Sequence, residues 1–196
     1  MKVFLVVLGL VSLVLIIFQI IVSRGQKGIE KYPFTLVKEY EVFEVRAYEP
    51  TLFTSVKLQT KGYKKSSSQG FSILAGYIFG GNDKNEKIAM TSPVSMSLED
   101  SMTMMFMVPK KFNKETLPKP NQETIDFYEA PAKRMAAISF GGWGNDEKIE
   151  KYKGTLKAAL DKEGIIYSSK FYFFGYNAPF ELLNRRNEVL VELPNS

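Results

Sequence analysis

The plainest pattern in the chain lies at its start. Residues 3–22 carry no charge, and 17 of these 20 positions are Val, Leu, Ile or Phe. A helix of that length runs about 30 Å, the depth of a bilayer's hydrocarbon core. Each large apolar residue near the centre favours insertion by about 0.3–0.6 kcal/mol, so Gly9, Ser12 and Gln19 do not reverse the sum. A cleaved signal peptide is the alternative, with an apolar run of about 7–15 residues ending in a small-x-small site. Here the run is longer and gives way to Ile21-Val22-Ser23-Arg24-Gly25, a poor cleavage site. The expectation is an uncleaved single-pass anchor (or signal segment) over residues 1–24, a polar linker over 25–31 and one folded domain over 32–196. Lys2 on one side nearly balances Arg24 and Lys27 on the other, so charge barely orients the segment. The lack of cysteine slightly favours an extracytoplasmic domain.

Beyond the linker the pattern alternates between extended and helical periods. Residues 40–46 and 52–58 mix β-branched and aromatic residues with polar ones, as half-buried strands do, and Pro50 separates them. Phe71, Leu74, Tyr77 and Ile78 fall at helical spacing, which predicts a helix over 66–79 that Gly80-Gly81-Asn82 ends. Extended runs follow at 88–96 and 102–108. The order then repeats: strands at 125–128 and 134–140, a helix at 146–163 stopped by Gly164, and strands at 171–176 and 188–193. Pro93 matches Pro179, and Pro109 matches Pro194, both about 85 residues apart. Such spacing predicts an α+β fold made of two β-β-α-β-β halves. Together they would form a distorted antiparallel β-barrel flanked by two helices.

Composition narrows the chemistry. His 0 and Cys 0 leave no imidazole base, no thiol nucleophile, no disulfide and no thiolate or imidazole metal ligand. The net charge is +5, or +3 without Lys2 and Arg24, too dilute for a nucleic-acid face. No Gly-x-Ser-x-Gly elbow or phosphate loop is present, and Gly141-Gly142-Trp143-Gly144 does not fit a dinucleotide fingerprint. Glu39, Glu41, Glu44 and Glu49 read as charges on a strand's solvent face.

Six of the eight methionines lie between Met90 and Met107. Strand alternation puts Met102 and Met104 on one face and Met105 and Met107 on the other, which splits the sulfurs and favours an adaptable apolar wall over a Cu(I) site. Lys57, Lys61, Lys64 and Lys65 form a basic cluster before the first helix, either solvated or in contact with anionic headgroups or ligand carboxylates. Arg185 and Arg186 either pair with Glu188 and neighbouring acids or receive a ligand's carboxylates.

At Lys87-Ile88-Ala89-Met90-Thr91-Ser92-Pro93-Val94 and Arg185-Arg186-Asn187-Glu188-Val189 the sequence resembles the SOUL haem-binding protein family. Tyr40-Glu41-Val42, the 77–82 segment, Ser139-Phe140-Gly141-Gly142 and Tyr176-Asn177-Ala178-Pro179 stand in matching order, so the resemblance covers 32–194. It implies a duplicated α+β fold and non-catalytic binding of haem or another tetrapyrrole in an apolar groove beside the first helix. Phe71, Leu74, Ala75 and Ile78 match the helix side of that groove, and Phe180 its opposite wall.

Ser68 and Glu181 stand where relatives carry basic residues toward the haem propionates; Lys64, Lys65 or Arg185 would take over that role. Without a histidine, haem would be held non-covalently by shape, with Tyr77, Met90 or a lysine left as axial candidates. The expected function is buffering or transfer of a tetrapyrrole at a membrane. The alternative is a membrane-tethered lipid-binding or protein-interaction scaffold that has lost the ligand.

Overall fold

A computed structural model of the chain describes residues 28–59, 62–99, 101–178, 181 and 184–194, with residues 4, 7, 9, 10, 13 and 14 nearer the N-terminus. Those six isolated positions are helical, and Phe4, Val7, Leu10, Leu13 and Val14 are exposed. The rest of the apolar segment 3–22 lies outside the described residues, and so does the expectation of an anchor. Among the described residues no helix is long and apolar enough to cross a membrane.

Among the described residues nine strands form one antiparallel sheet. In chain order they are β1 (Phe34–Glu39), β2 (Glu44–Tyr48), β3 (Thr51–Lys57), β4 (Val94–Ser97), β5 (Thr103–Met107), β6 (Ile125–Ala130), β7 (Lys133–Gly141), β8 (Phe171–Gly175) and β9 (Arg186–Glu192). Two helices interrupt them, α1 (Tyr63–Ile78) after β3 and α2 (Asp146–Lys162) after β7. The strand order is β1-β2-β7-β9-β8-β4-β5-β3-β6. Exchanging β2 with β6, β3 with β7, β4 with β8 and β5 with β9 returns the same eight-strand order read from the other end.

The expected distorted barrel takes the form of a curled half-barrel, an open sheet with β1 and β6 at its edges. Its curl follows from the connections. Glu49 and Pro50 alone join β2 to β3, six places apart in the sheet, and Pro131 and Ala132 alone join β6 to β7. Such short links bring distant strands together, and Tyr32 accordingly touches both Tyr48 (ring centroids 4.6 Å) and Phe53 (5.1 Å).

The expected strand at 40–46 is a hairpin. Tyr40 N–H donates to Phe43 O (2.9 Å) and the two rings stack at 4.4 Å, which turns the chain between β1 and β2. The run from 88 is extended strand only from Val94; before it, Thr91 Oγ1 donates to Met107 O (2.7 Å) and Ser92 makes backbone hydrogen bonds with Glu30 and Tyr32. Ile88 N–H donates to Ile78 O at 2.8 Å.

Alternation sends one set of side chains under the helices and the other into the curl. The helix-side core includes Val45, Val56, Met104, Phe106, Ile138, Phe140, Phe173, Val189 and Val191, covered by Leu74, Tyr77 and Ile78 of α1 and Ile149, Leu156 and Leu160 of α2. Gly70 lets α1 approach closely, because a Cβ there would meet Leu58 Cδ1 and Met104 Cβ at 3.0 Å. The concave core holds Tyr32, Tyr48, Phe53, Met105, Met107, Met135, Phe174 and Leu190. The methionines of β5 are split between the faces as the alternation predicts.

Both helices begin at one place. Asn145 caps α2 by accepting from Lys148 N–H (2.8 Å). Gly62 has no side chain to cap α1, and Asp146 of α2 supplies the missing acceptor to Tyr63 N–H (2.5 Å). One carboxylate thus serves the positive ends of both helices.

Candidate functional site

The expected site residues do not share one environment. Leu74 and Ile78 belong to the helix-side core, and Ala75 is buried. Phe71 is half-buried, with its ring 5.5 Å from Phe106. Leu74, Ala75 and Ile78 therefore turn inward and build the helix's footing. Tyr63, Ser67 and Phe71, four residues apart along one flank, are half-buried, as is Ile73. Phe180 lies outside the described residues.

Arg185 sits near the Tyr63 end of that flank. Its guanidinium carbon lies 3.9 Å from the centroid of Trp143, the sole tryptophan, whose surface is 52% exposed. Nη1 donates to Ala178 O (3.0 Å) and Glu181 O (2.5 Å), while Nε is buried without a hydrogen-bond partner. Burial lowers the affinity of this guanidinium for its proton, against the opposing pull of Tyr63 and Glu181. Gly144 brings the Trp143 segment in: a Cβ there would meet Phe173 Cζ at 2.9 Å and the Tyr63 hydroxyl at 3.4 Å. Tyr63 in turn packs edge-on against Phe173 (4.7 Å). Trp143, Arg185 and Tyr63 thus sit together at the start of α1, and Phe71 lies two turns further along the same helix flank. The sequence singled out Arg185 and Phe71 but not Trp143, whose position between Gly142 and Gly144 was the available signal.

Glu181 is not a surface anion. It is buried, and its carboxylate accepts from Asn177 Nδ2 (2.5 Å) and Ala178 N–H (3.4 Å), which closes the turn after β8. Ser68, Lys64 and Lys65 are exposed on α1. The Tyr77 hydroxyl is buried and donates to Pro118 O (2.7 Å), so it is not free to ligate a metal.

Arg186, one residue on, points to the other face, where it donates through Nε (3.1 Å) and Nη2 (2.6 Å) to Glu188 Oε1. This is the structural pairing the sequence allowed. Glu188 and Arg46 are both 0% exposed and form a two-armed ion pair, each arm 2.9 Å. Tyr176 and Ser139 hydroxyls also donate to Glu188, at 2.7 and 3.0 Å. Glu44 takes the Arg46 Nε–H (2.7 Å), and Phe34 lies 4.5 Å from the guanidinium. Burial raises the Glu188 carboxyl, but the Arg46 contacts, the Tyr176 hydrogen bond and Arg186 outweigh it and hold the group below its ordinary value.

Beside this network a cleft of about 340 Å³ opens between Lys31, Tyr32 and Phe34 on one side and Tyr176, Asn177 and Arg186 on the other. Deeper in the curl, Tyr32, Ser95 and Tyr172 border a void of about 10 Å³, the size of one water.

The family model described as SOUL heme-binding protein matches residues 29–192. The chain belongs to that family. Its relatives include Heme-binding protein 2 of Mus musculus, 30% identical over 156 residues that cover 75% of this chain and 76% of the relative. Heme-binding protein 1 of Xenopus laevis is 27% identical over 175 residues, covering 83% and 91%. Among solved structures, the EcmrR C-terminal domain has a TM-score of 0.62 at 10% identity, covering 79% of this chain and 98% of that one. A hydrolase from Listeria innocua has a TM-score of 0.57 at 8% identity, covering 81% and 94%. At such identities these two structures share the fold alone. Arg185 and Arg186, adjacent in the chain, serve opposite faces of the sheet.

Proposed function

We propose that the chain binds haem or a related tetrapyrrole non-covalently and without chemistry, on the helix side, between the α1 flank and Trp143. The observation that carries this reading is the Arg185 guanidinium stacked on half-exposed Trp143 beside the Tyr63–Phe71 flank. A tetrapyrrole is flat and apolar with carboxylates at one edge. The aromatic surface suits its faces, and the Arg185 guanidinium stacked on Trp143 is the cation placed beside that surface for a carboxylate. A bound haem would bring iron; the chain offers it no imidazole or thiolate. Phe71, Tyr63 and Trp143 orient the ring, Arg185 fixes its polar edge, and Leu74, Ala75 and Ile78 hold the helix under it. Phe180 is the expected opposite wall.

The symmetric strand order supports a duplicated origin for the two halves. The same proposal sets the domain at a membrane through residues 3–22, outside the cytoplasm, for buffering or transfer.

Titration of the chain with haemin and with metal-free protoporphyrin IX tests the reading. Binding without an axial ligand predicts micromolar affinity for both, about −8 kcal/mol, and agreement within about threefold. Strong preference for the iron form, or no Soret change at tens of micromolar (about −6 kcal/mol), would contradict it.

A further inference from the structure

The concave cleft lies on the opposite face of the sheet from Trp143 and plays no part in the reading above. Its chemistry is one-sided. Glu188 has both oxygens occupied, Oε1 by Arg46, Ser139 and Arg186 and Oε2 by Arg46 and Tyr176. No carboxylate capacity is left to select a cation. Unmet donors remain: among the described residues the Lys31 ammonium and Arg186 Nη1 have no partner, and both residues line the cleft. The walls are aromatic. Phe34 is 40% exposed, and Tyr176 carries Arg186 5.0 Å from its ring centroid. A volume of about 340 Å³ is at the low end of small-molecule sites, which span roughly 300–1,000 Å³.

We infer that this cleft is a second binding site, for a small aromatic monocarboxylate whose ring lies between Phe34, Tyr32 and Tyr176 and whose carboxylate meets Lys31 and Arg186. The Arg46–Glu188 pair is the site's foundation. It holds Arg186 by two donors and leaves the third turned to the ligand. The curl is essential, because Lys31 and Phe34 meet Tyr176 and Arg186 only when the sheet's distant strands approach.

Calorimetric titration of the full chain in detergent with 2-naphthoate, and with 2-naphthalenemethanol as the uncharged match, tests the site. The expected result is saturable one-to-one naphthoate binding with a dissociation constant below about 1 mM, and at least about tenfold weaker binding of the alcohol. Lys31→Gln removes an exposed charge without a structural partner; it should weaken naphthoate about fivefold and leave haemin affinity unchanged. Naphthoate should bind equally well with haemin at saturation. Equal binding of acid and alcohol, no effect of Lys31→Gln, or displacement of naphthoate by haemin would overturn the proposal. The haemin arm is read separately, so failure of the tetrapyrrole site leaves this result intact.

Discussion

The two faces of the sheet are built from the same strands by the same alternation, yet they are stabilised differently. Under the helices, Val, Ile, Leu, Met and Phe exclude water by area, and the tyrosine hydroxyl of Tyr77 finds a backbone carbonyl. Inside the curl, aromatic rings surround a fully buried Arg46–Glu188 pair tied to two tyrosines, a serine and a second arginine. An apolar core fails gradually as methylenes are removed. A buried ion pair fails at once when either partner goes, because the remaining charge has no water. The helix face thus rests on apolar area spread over many side chains, whereas the concave face depends on a single buried network.

Removing one charge should separate the faces most. Glu188→Ala removes both carboxylate arms from buried Arg46, leaving it only the Glu44 carboxylate, and is expected to cost about 3–5 kcal/mol, measured by urea unfolding. Replacing both partners, as Arg46→Met with Glu188→Leu, should cost far less; equal losses would mean that packing and not charge holds this face. On the helix side, Leu74→Ala should cost about 3 kcal/mol through a core cavity, with the concave network intact.

Acid acts selectively on the concave face. Glu188 is held below its ordinary pKa, so its contribution is complete above the unfolded value near 4.3 and is lost as pH falls through the lower folded one. Stability measured from pH 7 down to 3 should therefore fall, and the double replacement should flatten that fall. An unchanged slope would place the acid sensitivity elsewhere, Glu192 being the next candidate because its carboxyl is also lowered. The smallest effect is at the shared helix start, where Asp146→Ala should cost about 1 kcal/mol.

What the sequence made legible was whatever repeats locally. Helical spacing placed α1 and α2, and the Met102–Val108 alternation assigned each methionine to its face. Interactions that cross the sheet were not legible. Arg46 and Glu188 are 142 residues apart, and the sole hint was one charge within each of two apolar runs, Val45 to Ala47 and Glu188 to Val191. Leu74, Ala75 and Ile78 were assigned to a groove wall by the family resemblance, and the apolar stripe they form at helical spacing does not say whether a sheet or a ligand covers it. The twin arginines read as one pair, and only strand alternation gives them separate tasks.

The central claim rests on Trp143 and Arg185 receiving a tetrapyrrole, and Soret titration of haemin into the chain and its Trp143→Ala variant tests it most directly. Removing the half-exposed indole should weaken haemin at least about tenfold, or 1.4 kcal/mol, with the unfolding midpoint nearly unchanged. Equal affinity in the two proteins would contradict the account.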